Sequence, residues 1–215
     1  MAFRRRVVHG ASEDRLQRLI HERLQPHANK QEIDQHIWDL FGEEWCIMAT
    51  DLAGFSRGVA EFGIIHFLQT IYESERILIP VVERHDGILL KVEGDSFLVI
   101  FRNAQKAVRA AVEMQRTVYR YNHSRVPEEH VLLGVGLGYG KVLRIGDEEV
   151  YGMEVNSACI LGESYAAAYG ILVTQAVRER MGEDVQFEPF DYVPPGAVGT
   201  YRVLYSSSSE PLNGD

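Results

Sequence analysis

Two stretches decide how this chain folds: Cys46-Ile47-Met48-Ala49-Thr50-Asp51-Leu52-Ala53-Gly54-Phe55-Ser56 and Leu89-Leu90-Lys91-Val92-Glu93-Gly94-Asp95-Ser96-Phe97-Leu98-Val99-Ile100-Phe101. Each is a short apolar run with an aspartate beside a turn, and runs of this kind read as buried strands. A carboxylate in such a place is costly unless it is paired or bound to a metal. Asp51 and Asp95, at the ends of adjacent strands, could hold divalent cations against the phosphates of a nucleotide. The plain alternative is that Asp51 caps a helix and Asp95 makes a hairpin turn, both ordinary uses of Asp.

Working outward, the pattern predicts a strand at 46–51, a helix over 57–84, strands at 88–93 and 96–102, and a helix over 103–122. The apolar stripe of that last helix is Ala104, Ala107, Val108, Ala111, Val112, Met114 and Val118. Then come a strand at 131–139, a turn at Gly140 and a short strand through Val142 and Leu143. A small-residue-rich helix is expected over 155–169, a strand at 171–174, a helix at 175–181, and strands near 185–190 and 199–205. The β-α-β-β-α-β order predicts an α+β domain of the ferredoxin-like plan, with a central, mainly antiparallel sheet and extra C-terminal elements.

Ahead of it, Ser12 to Leu24 reads as a helix capped by Ser12 and ended by Pro26, and Lys30 to Phe41 reads as a second. Their apolar faces suggest a pair that packs on the main domain or on a second subunit, with a structural brace as the plain reading. The expected organisation is a helical extension at 1–43, a main domain at 44–205 and a loose Ser-rich tail at 206–215, with residues 1–11 also disordered.

The formal net charge of −9 over 215 residues argues against a general nucleic-acid binder. Only two cysteines are present, Cys46 and Cys159, both in apolar settings, which favours a reducing, cytoplasmic compartment over a disulfide scaffold. No apolar stretch reaches membrane-spanning length, and Arg4-Arg5-Arg6 is not followed by an apolar signal core. A soluble, cytosolic protein is the expectation, and a small anionic ligand would need a metal or a local cluster of Lys and Arg.

Four linked motifs make the reading specific: Asp51-Leu52-x-Gly54-Phe55-Ser56, Lys91-x-x-Gly94-Asp95, Gly134-x-Gly136-x-Gly138-x-Gly140, and Val150-Tyr151-Gly152-x-x-Val155-Asn156. In this order and spacing, residues 44–205 resemble the catalytic domain of class III nucleotidyl (adenylate/guanylate) cyclases. The resemblance implies conversion of a nucleoside triphosphate to a 3′,5′-cyclic monophosphate in intracellular signalling. It implies two Mg²⁺ or Mn²⁺ ions per site, at the interface of a head-to-tail homodimer. Asp51 and Asp95 would then be the metal ligands, helped by the Leu52 carbonyl. Gly54, Phe55 and Ser56 would offer backbone N–H groups to the triphosphate. Lys91 occupies the position where adenylate cyclases carry lysine and guanylate cyclases glutamate, and a lysine donates to adenine N1 but not to guanine N1. Glu149 matches the second base-reading position, usually Asp or Thr. Asn156 matches the asparagine that orients the ribose. The plain readings are a solvated strand lysine for Lys91 and a helix cap for Asn156.

Two positions depart from the family. Ile160 stands where the arginine that stabilises the transition state is expected, four residues after Asn156. Tyr192-Val193-Pro194-Pro195-Gly196 holds no lysine where a phosphate-binding one is usual. Arg202 or Arg144 are the candidate substitutes. An active, ATP-preferring cyclase therefore stands beside two alternatives: a weak or inactive cyclase-homology domain that binds nucleotide or regulates a partner, and a cyclase for another base such as a pyrimidine.

Overall fold

A computed structural model describes residues 11–53 and 61–206. The expected phosphate turn Gly54-Phe55-Ser56, the start of the 57–84 helix, and the two termini lie outside the described residues.

The chain runs α1 (Ala11–Arg23), α2 (Lys30–Phe41), β1 (Gly42–Leu52), α3 (Ile64–Arg84), β2 (Ile88–Glu93), β3 (Ser96–Phe101), α4 (Ala104–Asn122), β4 (Leu133–Ile145), β5 (Glu149–Tyr151), α5 (Met153–Cys159), β6 (Ile171–Thr174), α6 (Gln175–Arg178), β7 (Gln186–Phe190) and β8 (Thr200–Leu204). A single π-helical turn, Ile160–Tyr165, continues α5. The strands form one mixed sheet in the order β2-β3-β1-β4-β6-β8-β7, with β5 paired to the far end of β4. β4 and β6 are parallel; the other described pairings are antiparallel. The first four strands stand as β2-β3-β1-β4, which is the ferredoxin-like arrangement expected from the sequence.

Alternation along the strands sorts side chains onto two faces. Cys46, Met48, Val99, Phe101, Val135 and Leu137 pack under α3 and α4 with Leu78, Val82, Ala107 and Met114. Trp45, Ile47, Ala49, Ile100 and Val142 face the other way, against Val155, Ala158 and Cys159 of α5. The α1–α2 pair buries Leu19, Ile33, Ile37 and Phe41 on Leu143 and Ile145 of β4, so it packs on its own domain. Asn29 and Asn103 start α2 and α4 by accepting from the amides of Glu32, and of Gln105 and Lys106.

The glycines at 134, 136, 138 and 140 all lie in one strand, on the α5 face. A β-carbon on Gly136 would come within 2.2 Å of the Ala158 carbonyl oxygen and 2.4 Å of the Gly162 amide. One on Gly138 would meet the Glu154 carbonyl at 2.5 Å. Gly162 returns the contact, since its own β-carbon would stand 2.6 Å from the Ala49 carbonyl. Only a strand stripped of side chains on alternate residues lets a helix backbone rest directly on the sheet.

Several expectations are corrected here. Gly140 does not turn the chain: 133–145 is one strand, held straight by an unbroken register with β1 from Gly42↔Leu143 to Leu52↔Leu133. The missing side chains that resemble a turn serve close packing instead. β5 was not expected, because three residues carry no periodic signal. The helix expected over 155–169 starts at Met153 and widens into the π turn after Cys159. The sheet's first strand begins four residues early, at Gly42, directly out of α2.

Gly136→Val is expected to lower stability by about 3 kcal/mol, since the added atoms meet backbone that cannot withdraw. The check is a chemical-denaturation midpoint. An unchanged midpoint would mean α5 can lift off the sheet at no cost.

Candidate active site

The ladder between β1 and β3 runs from Cys46↔Phe101 to Ala49↔Leu98, and one side-chain bond extends it. Thr50 Oγ1, buried, accepts from the Phe97 amide at 3.1 Å. The next residue on each strand is a site residue: Ser96 Oγ donates to Asp51 Oδ1 at 3.3 Å. Asp95 sits in the β2–β3 turn after Gly94, whose φ of 61° is easily reached only without a side chain. Both aspartates draw on the Leu52 amide. The structure thus brings Asp51, Leu52 and Asp95 together, as the sequence predicted.

The two carboxylates are poorly satisfied. Burial, and then the Asp95 charge, push the Asp51 carboxyl up to about 6. Burial also raises Asp95, against the pull of the Leu52 amide and its own. Asp95 Oδ2 is buried with no hydrogen-bond partner. Glu163, brought alongside by the π turn, is raised by burial and by the Asp95 and Glu93 charges. Sequence reasoning missed Glu163 because the extra residue of a π turn breaks helical spacing. An uncompensated acidic corner whose strands are firmly stapled suits a hard cation held by oxygen ligands. Among the described residues no group of three or more His, Cys, Asp or Glu side chains could hold a metal. Asp51, Asp95 and the Leu52 carbonyl are the donors the sequence points to, and a cation held by them would need further ligands from outside these groups.

Lys91 and Glu149 also come together, although 58 residues apart: Nζ donates to Oε1 at 2.5 Å, both half-buried. A β-bulge between Leu89 and Lys91 aims the lysine. Leu89 pairs with Val99 but Lys91 with Leu98, so Lys91 turns to the α5 face. Glu149 reaches it from β5, and Tyr151, two residues on, lies close enough for the Glu149 carboxylate to raise its phenol after burial does so. Lys91 is not a free strand lysine.

Asn156 is exposed, in the first turn of α5. The helix cap is Gly152, whose carbonyl takes the Asn156 amide at 3.3 Å, so capping does not occupy the Asn156 side chain. Ile160 keeps its place one turn on, with its amide bonded to the Asn156 carbonyl. The two candidate replacement cations are engaged elsewhere. Arg202 bonds Glu188 at 2.7 Å across β7 and β8. Arg144 lies at the other end of β4 from Asp51's partner Gly134, about 30 Å along the strand. There it pairs with Asp147 at 3.7 Å and stacks on Trp45. Pro194 is buried.

A family model described as the adenylate and guanylate cyclase catalytic domain matches residues 42–196. The chain is 33% identical over 134 residues to a Myxococcus xanthus serine/threonine-protein kinase, pkn2, covering 61% of this chain and 16% of that protein's length. Among solved structures, the guanylyl cyclase Cya2 aligns with a TM-score of 0.65 at 21% identity, over 80% of this chain and 96% of that one. The adenylyl cyclase CyaB from P. aeruginosa aligns with a TM-score of 0.62 at 21% identity, over 77% and 95%. At such identities the structures establish the fold.

Raising an acid's pKa by folding means the native state binds more protons than the unfolded chain between the two values. For Asp51 that window runs from the ordinary 3.8 to about 6. Stability contributed by this group is present below the window and lost as pH rises through it. Asp51→Asn is therefore expected to melt higher than the parent in EDTA at pH 7.5, with the gap closing towards pH 4.5. A lower melting point at pH 7.5 would make the charged carboxylate a structural requirement.

Proposed function

The chain belongs to the adenylate and guanylate cyclase catalytic domain family, and on that premise we propose that it converts a nucleoside triphosphate, with ATP favoured, to a 3′,5′-cyclic nucleotide and pyrophosphate. The observation that carries this reading is the Asp51–Asp95 corner, where two carboxylates share one amide and one buried oxygen has no partner. The family generally uses divalent metals. Asp51, Asp95 and the Leu52 carbonyl would hold Mg²⁺ or Mn²⁺, two ions per site, which when bound lower the pKa of the ribose hydroxyl and neutralise charge on the leaving group.

In the reaction the ribose 3′-oxygen bonds to the α-phosphorus, its proton leaves, and the bond from that phosphorus to the bridging oxygen breaks to release pyrophosphate. Positioning is the main task left to the side chains. Lys91 donates to adenine N1, and Glu149, held against it, accepts from the adenine amino group. Asn156, exposed and released from capping, orients the ribose. Gly54, Phe55 and Ser56 are the proposed triphosphate contact.

The spacing supports a head-to-tail homodimer. Glu149 precedes α5 and Glu163, beside Asp95, follows it, so the base-reading pair and the acidic corner stand roughly 17 Å apart. The flank of α5 carrying Val155 and Cys159 fills the space beside Leu90 and Leu98 between them. Two copies related by a two-fold axis would bring one copy's pair to the other's corner, giving two equivalent sites.

The second reading, a weak or inactive domain that binds nucleotide, is favoured by Ile160 and by the engagement of Arg202 and Arg144. Loss of such a cation costs on the order of 10³-fold or more in phosphoryl transfer. Incubation with each of the four nucleoside triphosphates and Mn²⁺, followed by chromatography of cyclic products, separates these readings and the pyrimidine one.

Two substitutions sharpen the assignment. Lys91→Glu is expected to narrow or reverse a preference for ATP over GTP, since a charged hydrogen bond contributes about 1.5–3 kcal/mol; equal purine affinities in the parent protein would remove the basis for it. Ile160→Arg is expected to raise kcat more than KM, because the added charge acts mainly in the transition state. A folded, nucleotide-binding Ile160→Arg protein with no gain would place the deficit elsewhere.

A further inference from the structure

The two segments that lack the family's phosphate-binding cations are joined to each other by aromatic contact. Tyr165 closes the π turn that begins at Ile160. Tyr192 opens the Tyr192–Gly196 stretch, which holds no lysine. Their rings stack, with centroids 3.7 Å apart and planes inclined by 13°. Phe190 meets Tyr165 edge-on at 6.5 Å, and Arg202 lies over the Phe190 ring at 5.4 Å, held there by Glu188.

Helical geometry carries this pair to the flank of α5 that holds Asn156. Met153, Asn156 and Ile160 recur at intervals of three and four residues, so they share one flank. The Ala166 amide bonds the Leu161 carbonyl at 2.7 Å, five residues back, which makes the turn after Cys159 a wide one. Tyr165, five residues after Ile160, therefore stands one π turn beyond it on that flank. The 192–196 stretch follows the same flank. Tyr192 at its start stacks on Tyr165, and a β-carbon on Gly196 at its end would meet Met153 Cε at 2.4 Å. Helical side chains lean towards the N-terminus, so the Tyr165 ring leans back along α5 towards Ile160 and Asn156.

The two hydroxyls are placed side by side. Burial, and then the Tyr192 hydroxyl within bonding reach, raise the Tyr165 phenol. Among the described residues neither hydroxyl bonds to any other group. Tyr165 remains 39% exposed, so a ligand can reach it. Stacked rings have little rotamer freedom left to lose, and a phenol donates a hydrogen bond without carrying charge. We propose that the Tyr165 and Tyr192 hydroxyls bind the terminal phosphates of the nucleotide, where the family uses an arginine and a lysine. On the cyclase reading, from which this follows, a nucleotide has its base at Lys91–Glu149 and its ribose at Asn156. Its phosphates then run along the same flank, past Ile160, to the stack. Two neutral donors hold a polyphosphate but supply none of the charge that Ile160 fails to provide in the transition state.

The test measures binding rather than turnover, by calorimetry on the full chain with Mn²⁺. The probe is α,β-methylene-ATP, whose P–C–P bridge keeps all three phosphates but replaces the bond that cyclisation breaks. AMP, which lacks the terminal phosphates, is the control. Tyr165→Phe and Tyr192→Phe keep the stacked rings and remove one hydroxyl each. Each is expected to weaken α,β-methylene-ATP binding about tenfold, with AMP affinity unchanged within about twofold and the melting temperature within about 2 °C. Parent-like binding of α,β-methylene-ATP by both variants would overturn the proposal and leave the cyclase reading standing. So would an equal loss of AMP affinity, which marks a structural role for the stack. A parent chain that binds neither nucleotide would overturn the cyclase reading and the proposal with it. If one variant fails to fold, the other decides.

Discussion

The contact on which the rest of the molecule depends is backbone against backbone. Gly134, Gly136, Gly138 and Gly140 clear one face of β4, and α5 with its π turn lies directly on that face. This approach sets the height of α5 above the sheet, and everything with chemical character is referred to it. Asn156 stands outward on α5, Glu154 and Ser157 point down from it, and the π turn at its end delivers Glu163 to the Asp95 carboxylate. A side chain at Gly136 would raise the helix and separate these groups together. Local packing therefore controls a site whose residues come from six different elements.

Around that platform the two halves of the candidate site have opposite electrostatic character. At one end, burial raises Asp51, Asp95 and Glu163, and the Asp95 charge adds to the rise of the other two. Charge on these carboxylates is disfavoured there, as it would be in the cation site that the proposed function requires. At the other end, Lys91 and Glu149 neutralise each other at 2.5 Å, and the bulge in β2 keeps the lysine on the α5 face. That pair is satisfied without ligand, so under the proposed function a base would exchange hydrogen bonds there rather than supply missing ones. Discrimination between bases would then rest on the difference between two good sets of bonds, within the few kcal/mol such exchanges allow.

Ile160 is consistent with a site built for geometry more than for charge. Its helical register with Asn156 is intact, and the two candidate substitutes, Arg202 and Arg144, are bound to Glu188 and Asp147.

The sequence by itself determined most elements and the two aspartates. Strands 88–93 and 171–174 and helix 30–41 were legible to the residue, because local periodicity and caps such as Asn29 report only on neighbours a few residues away. Motif spacing likewise brought Asp51, Asp95, Lys91, Glu149 and Asn156 into one reading. Tertiary structure alone decided how they combine. The glycines that suggested a turn at 140 proved to be a packing surface, since a missing side chain looks the same in sequence whether it frees the chain to bend or admits a helix. The Lys91–Glu149 pair and the approach of Glu163 depend on strand register, a bulge and a π turn. Each of those changes direction by a single residue, below what hydrophobic patterning can record.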